Sequence, residues 1–164
     1  MRTLHRTAAF AFLASAALGC GDPVPPTPFE GTVEIGTGET GFEPVADEQS
    51  VPLVFGPQGG HHVWISFRVT GFERQQVLMD LDVVPLSDQE PPPRASPVRL
   101  FMNDLGDDRW EYIGWPAQLI DAGCYVDVPL SFRMTLTDPD GNEVSDEVVL
   151  VPEGGAPGLE PCEM

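Results

Sequence analysis

The sequence predicts an all-β protein, a single antiparallel β-sandwich of about eight strands that follows an N-terminal leader. Several segments alternate apolar and polar side chains with a period of two, which is typical of strands buried on one face. Glycine, proline and aspartate separate these segments, as expected for turns between short strands. No long helical pattern is present, and residues 117–122 are predicted to form at most one helical turn.

Three segments show the alternation most clearly, namely residues 62–70, 76–84 and 130–138. Their inward-facing side chains are predicted to be Val63, Ile65, Phe67 and Val69, then Val77, Met79, Leu81 and Val83, and then Leu130, Phe132, Met134 and Leu136. The intervening residues, such as Trp64, Ser66, Asp80 and Asp82, are predicted to face outward. Weaker strands are predicted at 31–35, 51–55, 98–102, 110–114 and 147–151.

Two connections have clear turn or loop chemistry. Residues 88–97, DQEPPPRASP, are predicted to form a stiff loop, because consecutive prolines cannot donate to a strand ladder. Residues 138–143, DPDGNE, match a Pro-Asp-Gly turn. They do not fit a calcium-binding EF-hand loop, because the glycine is fourth rather than sixth.

The first residues have the three regions of a secretion signal. Arg2 and Arg6 precede an apolar run that ends in small residues before Cys20. The run is shorter than the roughly 20 apolar residues that a membrane-spanning helix needs. The predicted organisation is a signal peptide at 1–19, a proline-rich tether at 20–28 and a β-sandwich domain at 29–164.

The junction Ala17-Leu18-Gly19-Cys20 resembles the lipobox of bacterial lipoproteins. The resemblance implies that the leader is removed before Cys20, that Cys20 is acylated, for example with palmitate, and that the acyl chains bind the lipid bilayer. Asp22 would then be the third mature residue rather than the second, and the resemblance implies an outer-membrane location in the cell envelope. The alternative is an ordinary cleavage site with Cys20 as a free thiol.

The charge of the chain limits its partners. Beyond residue 19 the chain has six arginines, no lysine and 26 acidic residues, a net charge of −20 with neutral histidines. Such a surface repels nucleic acids and anionic lipid head groups, so neither is expected as a partner. Cationic or neutral partners remain compatible with it, although the charge also serves to keep an exported protein soluble.

The other two cysteines, Cys124 and Cys162, form an even pair once Cys20 is assigned to lipid. In an oxidising compartment they are predicted to form a disulfide. The alternative is that they ligate a metal ion, but no C-x-x-C spacing supports this.

Metal-ligand candidates are His61 and His62, next to the turn GPQGG, and Asp104, Asp107 and Asp108 in NDLGDD. Adjacent histidines at the start of a strand point to opposite faces, so they do not easily bind one ion together. Zinc or copper would therefore need acidic residues from other loops, and calcium would need six to eight oxygen ligands. The prediction is that these residues start a strand and form a turn; metal binding is the alternative function.

Trp110, Tyr112 and Trp115 form the candidate binding surface. Trp110 and Tyr112 are predicted to share a strand face, where exposed aromatic rings could stack on a glycan or contact an envelope protein. The competing interpretation is that at least one of them packs in the core.

The last forty or so residues, a strand, DPDGN and a second strand, resemble immunoglobulin-like or fibronectin-like modules. The turn GPQGG with its histidine is similar to a segment of a family of predicted lipoproteins of this size. Neither resemblance implies an activity. No catalytic motif of the nucleophile-elbow, zinc-protease or phosphate-loop type is present in the sequence, so an enzyme is not predicted and no cofactor is expected. The predicted function is a lipid-anchored binding or structural module.

Overall fold

A computed structural model of the protein describes residues 29–57 and 59–162. The predicted leader, Cys20 and the tether lie outside the described residues. The strands are β1 (Thr32–Thr37), β2 (Glu43–Pro44), β3 (Gln49–Pro52), β4 (Val54–Phe55), β5 (His61–Thr70), β6 (Gln76–Pro85), β7 (Val98–Phe101), β8 (Asn103–Gly106), β9 (Arg109–Leu119), β10 (Leu130–Thr137) and β11 (Glu143–Glu153). A 3₁₀ turn at Ala122–Tyr125 lies between β9 and β10. In the ranges described, no helix is long and apolar enough to cross a membrane.

The strands form two packed sheets. The first has the order β2-β1-β5-β9-β8, with β4 paired to the start of β5, and the second has the order β3-β11-β10-β6-β7. The orders β1-β5-β9-β8 and β7-β6-β10-β11 correspond to the ABED and C′CFG arrangements of immunoglobulin domains, which confirms the predicted fold class. One pairing differs from the expected antiparallel sandwich, because β3 runs parallel to β11.

The structure has eleven strands in the described ranges rather than about eight. The segment 51–55 is not one strand: β3 belongs to the second sheet and β4 to the first, and the buried Leu53 marks the crossing. The short strands β2 and β8 carry no apolar alternation that would predict them. At 117–122, where at most one helical turn was expected, Ala117 to Leu119 continue β9 and the 3₁₀ turn begins at Ala122.

The core lies between the sheets and contains the predicted inward-facing residues. Those of β5 and β10 are almost completely buried, as are Val77 and Met79 of β6. Leu81 is buried and Val83 partly buried, because the second half of β6 lies close to an open side of the sandwich. The two-residue period therefore predicted correctly which side chains fill the core.

The outer face of β5 is also covered, contrary to the expectation that its polar side chains meet solvent. Ser66 is completely buried and His62 is 6 % exposed. Over Ser66 the cover is the loop 38–42, which follows β1, whereas the His62 ring lies against Trp64 and near Gly56. The Ser66 hydroxyl donates to the Gly38 carbonyl oxygen at 2.9 Å and accepts from the Gly114 N–H at 3.0 Å. One hydroxyl group thus joins this loop to both central strands of the first sheet.

A β-bulge in β9 controls which way its aromatic side chains point. Ile65 pairs with Trp115 and Phe67 with Tyr112, so Ile113 and Gly114 together lie opposite Ser66. Without the extra residue, Trp115 and Tyr112 would face opposite sides of the sheet. The bulge places Trp115 on the inward side with Tyr112.

The two sides of the sandwich differ. On one side, the Asp146 carboxylate of β11 accepts a hydrogen bond from the Ile35 N–H of β1 at 3.1 Å. On the other side, β7 and β8 pair with only the first residues of β6 and β9. The proline-rich loop covers the remainder, held by a hydrogen bond from the Tyr125 hydroxyl to the Glu90 carbonyl oxygen (2.9 Å) and by a salt bridge between Arg94 and Asp80 (2.7 Å).

Candidate functional site

The predicted aromatic cluster packs against the core. The Trp110 indole N–H donates to the Phe72 carbonyl oxygen at 2.8 Å, and Tyr112 stacks on Phe67 with ring centroids 5.8 Å apart. Trp115 meets Tyr112 edge to face at 6.4 Å. All three side chains are partly buried. Trp110 and Tyr112 do share a face, as predicted, but that face is directed toward the interior.

Trp115 alone of these three borders a cavity. The cavity has a volume of about 300 Å³ and lies between β6 and β9. Its floor includes Leu81 and Val83, and its cover is the segment from Pro92 to Ala95. Its mostly apolar walls suit a small apolar group. Of the binding surface predicted at Trp110, Tyr112 and Trp115, only the part at Trp115 borders this cavity.

A second cavity, of about 700 Å³, lies at the end of the sandwich where His61 begins β5. Its wall includes the rings of Phe55 and His61, the carboxylate-bearing residues Asp121 and Glu160, and the disulfide. The His61 Nε2 atom is 3.0 Å from the Pro157 carbonyl oxygen, so this histidine ties β5 to the C-terminal segment. Its lining mixes aromatic, aliphatic and acidic residues and therefore indicates no single class of ligand.

His62 points to the opposite face from His61, as predicted for neighbours on a strand. Its ring meets that of Trp64 edge to face, with centroids 4.3 Å apart. The His62 Nε2 and Trp64 Nε1 atoms are buried and have no hydrogen-bond partner among the described residues. Burial lowers the pKa of His62; Glu39 opposes this shift and His61 adds to it. The neutral imidazole is therefore the form that the fold favours.

We expect acid to destabilise the protein through His62. A histidine whose pKa is lower in the folded than in the unfolded chain binds fewer protons when folded, so stability falls as the pH drops below about 6.5, the ordinary histidine value. Chemical denaturation at pH 7.5 and 5.5 should show this loss, and His62→Gln should reduce it. His61→Gln is the matched control and should retain it. An unchanged pH dependence in His62→Gln would contradict the assignment.

The acidic candidates form turns. Asp107 and Asp108 both have positive φ, 54° and 55°, and make the two-residue connection between β8 and β9. The Asp104 carboxylate accepts the Gly106 N–H at 2.7 Å. In DPDGN, the Asp138 carboxylate accepts the N–H groups of Asp140 and Asn142, each at 2.9 Å. Burial acts to raise the pKa of Asp138, but these hydrogen bonds outweigh it and the pKa is lowered.

The structure does not bring the candidate metal ligands together. No group of three or more His, Cys, Asp or Glu side chains within residues 29–57 and 59–162 has an arrangement that could hold a metal ion. Cys124 and Cys162 are instead joined in a disulfide, with Cα atoms 4.5 Å apart, which supports the predicted pairing. No observation in the described ranges favours the metal-binding alternative.

A surface that the sequence did not single out lies on β7 and the start of β6. Phe101 is 65 % exposed and Leu78 is 41 % exposed. Arg99 lies directly opposite Leu78 in the β6–β7 ladder and is also exposed. We call Leu78, Arg99 and Phe101 the β7 patch. The alternation in 98–102, with Leu100 and Met102 buried, was the signal that could have placed Arg99 and Phe101 on the outer face.

The candidate sites thus lie at separate places: the aromatic side cavity, the end cavity, the covered His62 and the β7 patch. No protein-family model matches the chain, and no curated protein matches it.

Proposed function

We propose that the protein is an exported binding module, anchored in a bilayer through acylated Cys20, that binds an envelope protein through an exposed apolar side of its sandwich. The β7 patch carries the binding part of the proposal. Phenylalanine and arginine are enriched where proteins meet, whereas most exposed surface residues are small or charged. A side chain as large as Phe101, exposed by 65 % beside Leu78 and Arg99, is suited to contact with a partner.

The aromatic residues of β9 favour a protein partner over a glycan. Glycan stacking needs an open ring face, but Tyr112 stacks on Phe67, and all three aromatic side chains are partly buried against the core. The apolar and cationic groups of the β7 patch match the chemistry of a protein surface better.

Export and anchoring are supported by two features. Disulfides persist in oxidising compartments and are rare in the cytosol, so the bond between Cys124 and Cys162 fits an exported protein. The leader and the junction before Cys20 supply the signal for acylation.

We expect Cys20→Ser to release the protein from membranes. In a Gram-negative host fed an alkyne-bearing fatty acid, the unaltered chain should carry the label and sediment with membranes. Cys20→Ser should carry no label and appear in the soluble fraction, because acyl chains supply the membrane affinity. The double variant Cys124→Ser/Cys162→Ser is the matched control and should remain labelled. A Cys20→Ser chain that is still membrane-bound would refute the anchor.

Site-specific photocrosslinking in the cells that make the protein tests binding. A photoreactive residue at position 101 should give a discrete adduct with one envelope protein. The same residue at position 43, which is exposed on β2 at the far edge of the other sheet, should not. Absence of an adduct at 101, or equal adducts at both positions, would contradict the proposed binding side.

A further inference from the structure

The free edge of β7 has a defined set of backbone groups. The Met102 N–H donates to the Gln75 carbonyl oxygen at 2.9 Å, so these two residues form a hydrogen-bonded pair at the end of the β6–β7 ladder. The register continues without a shift to Val98. Because bonding alternates along an antiparallel ladder, Leu100 and Val98 also bond to β6. The N–H and C=O groups of Arg99 and Phe101 therefore point away from β6, and β7 is the last strand of its sheet.

The charge of Arg99 has no counterpart in the described part of the chain. Each of the other five arginines there, Arg68, Arg74, Arg94, Arg109 and Arg133, has a carboxylate oxygen within 4.0 Å. Within residues 29–57 and 59–162 Arg99 forms no such pair, although the full chain has 26 acidic residues. A positive charge is therefore left open beside the most exposed large apolar side chain in these ranges, that of Phe101.

We infer that β7 binds an extended segment of a partner protein as an added strand, with a carboxylate against Arg99 and an apolar side chain against Phe101. This inference rests on the proposed binding function and specifies its partner. Strand addition uses the unpaired backbone groups of an edge for affinity and alternate side chains for specificity. Since residues two apart share a face, the partner segment should carry an acidic and a large apolar residue separated by one position.

The local structure limits the length of that segment. At one end Pro97 has no N–H group, and at the other end the chain crosses at the buried Met102 into β8 of the first sheet. Only the four residues of β7 are available. The added strand is accordingly short, with the groups of Arg99 and Phe101 as its hydrogen-bonding partners.

A second copy of this chain does not fit the edge well. Pairing β7 with another β7 would leave both Arg99 side chains without a carboxylate, because neither strand has an acidic residue. Each copy also has a net charge of −20 beyond its leader, so two copies repel each other. Self-association through β7 is therefore an outcome that would count against the inference.

The test uses the exported chain with Cys20→Ser and a phage library of random ten-residue peptides, with depletion on the Arg99→Glu variant. Recovered peptides should contain Asp or Glu two positions from a large apolar residue. Synthetic copies of these peptides should bind the Arg99→Glu variant at least tenfold more weakly than they bind the chain that retains Arg99. Arg74→Glu is the matched charge control, because Arg74 is also exposed but pairs with Asp140, and it should leave the affinity unchanged.

Two further measurements isolate the backbone. Two sets of peptides are compared, one N-methylated at the odd positions and one at the even positions. The set whose methylated nitrogens face β7 should lose binding, and the other set should retain it. Arg99→Pro should weaken binding more than Arg99→Ala, because only proline removes the outward N–H. Both variants should keep the unfolding midpoint of the parent, since that N–H does not serve the β6 ladder.

Three outcomes would each overturn strand addition. They are that no peptide is recovered, that Arg99→Glu leaves the peptide affinity unchanged, or that both sets of N-methylated peptides lose affinity equally. Arg99 and Pro97 would then act only to protect an edge from pairing. If the crosslink at position 101 persists under those outcomes, the binding module stands and only its mode is wrong. If peptides bind as expected but no crosslink forms at 101, the edge is competent and the proposed envelope partner is refuted.

Discussion

Replacing Cys124 and Cys162 by serine together should lower the free energy of unfolding by about 3 to 4 kcal/mol. The two residues are 38 positions apart, so the bond removes much of the freedom of a long loop in the unfolded chain. That loop contains β10 and β11, which occupy central positions in the second sheet. The loss should appear in guanidinium unfolding curves as a lower midpoint.

The C-terminal segment provides a local measure of the same bond. Residues beyond β11 close the end cavity and are held by the disulfide and by the contact between His61 and Pro157. In the double variant, proteases should cut this segment under conditions in which the parent is resistant. Parent protein treated with a reductant is the control and should behave like the double variant. A loss below about 1 kcal/mol would mean that the bond does not restrict the unfolded chain as the entropy model requires.

The second large effect is expected from Ser66→Ala, with a loss of about 2 to 3 kcal/mol. The substitution removes the donor to the Gly38 carbonyl oxygen and the acceptor of the Gly114 N–H. Ser66 is completely buried, so water does not easily replace its hydroxyl group. The loss arises from two backbone groups left without partners rather than from the missing oxygen itself.

Ser145→Ala is the matched control for Ser66→Ala. Ser145 is exposed on β11, and its replacement should change stability by less than about 0.5 kcal/mol. Urea unfolding of both variants gives the comparison. If Ser66→Ala is as stable as Ser145→Ala, the loop 38–42 does not depend on this hydroxyl, and the described cover over β5 is wrong.

The fold class and most of the core followed from local pattern. In β5 and β10 the inward side chains are apolar at every second position. They face the opposite sheet regardless of the order in which the chain connects the strands. The pattern could not reveal the crossing at Leu53, because an apolar residue at that position fits both one continuous strand and a change of sheet. Nor could it reveal the parallel pairing of β3 with β11, which depends on residues far apart in the sequence.

The candidate sites were less accessible to sequence analysis for the same reason. The turn roles of Asp107 and Asp138 are local and could be anticipated. The burial of Ser66 depends on the loop after β1, nearly thirty positions earlier, and the inward turn of Trp115 depends on a bulge of one residue. Phe101 stands out only once β7 is known to be the end of its sheet.

The pairing of β3 has a consequence for how the chain acquires its shape. Among the described residues β3 pairs with β11 alone, with Gln49 opposite Leu150. An early segment of the chain therefore cannot complete its pairing until a much later segment is available. Contacts between such distant segments slow folding, because the connecting chain has to be ordered before they form. We therefore expect the second sheet to close late in folding, after β11 has become available to pair with β3.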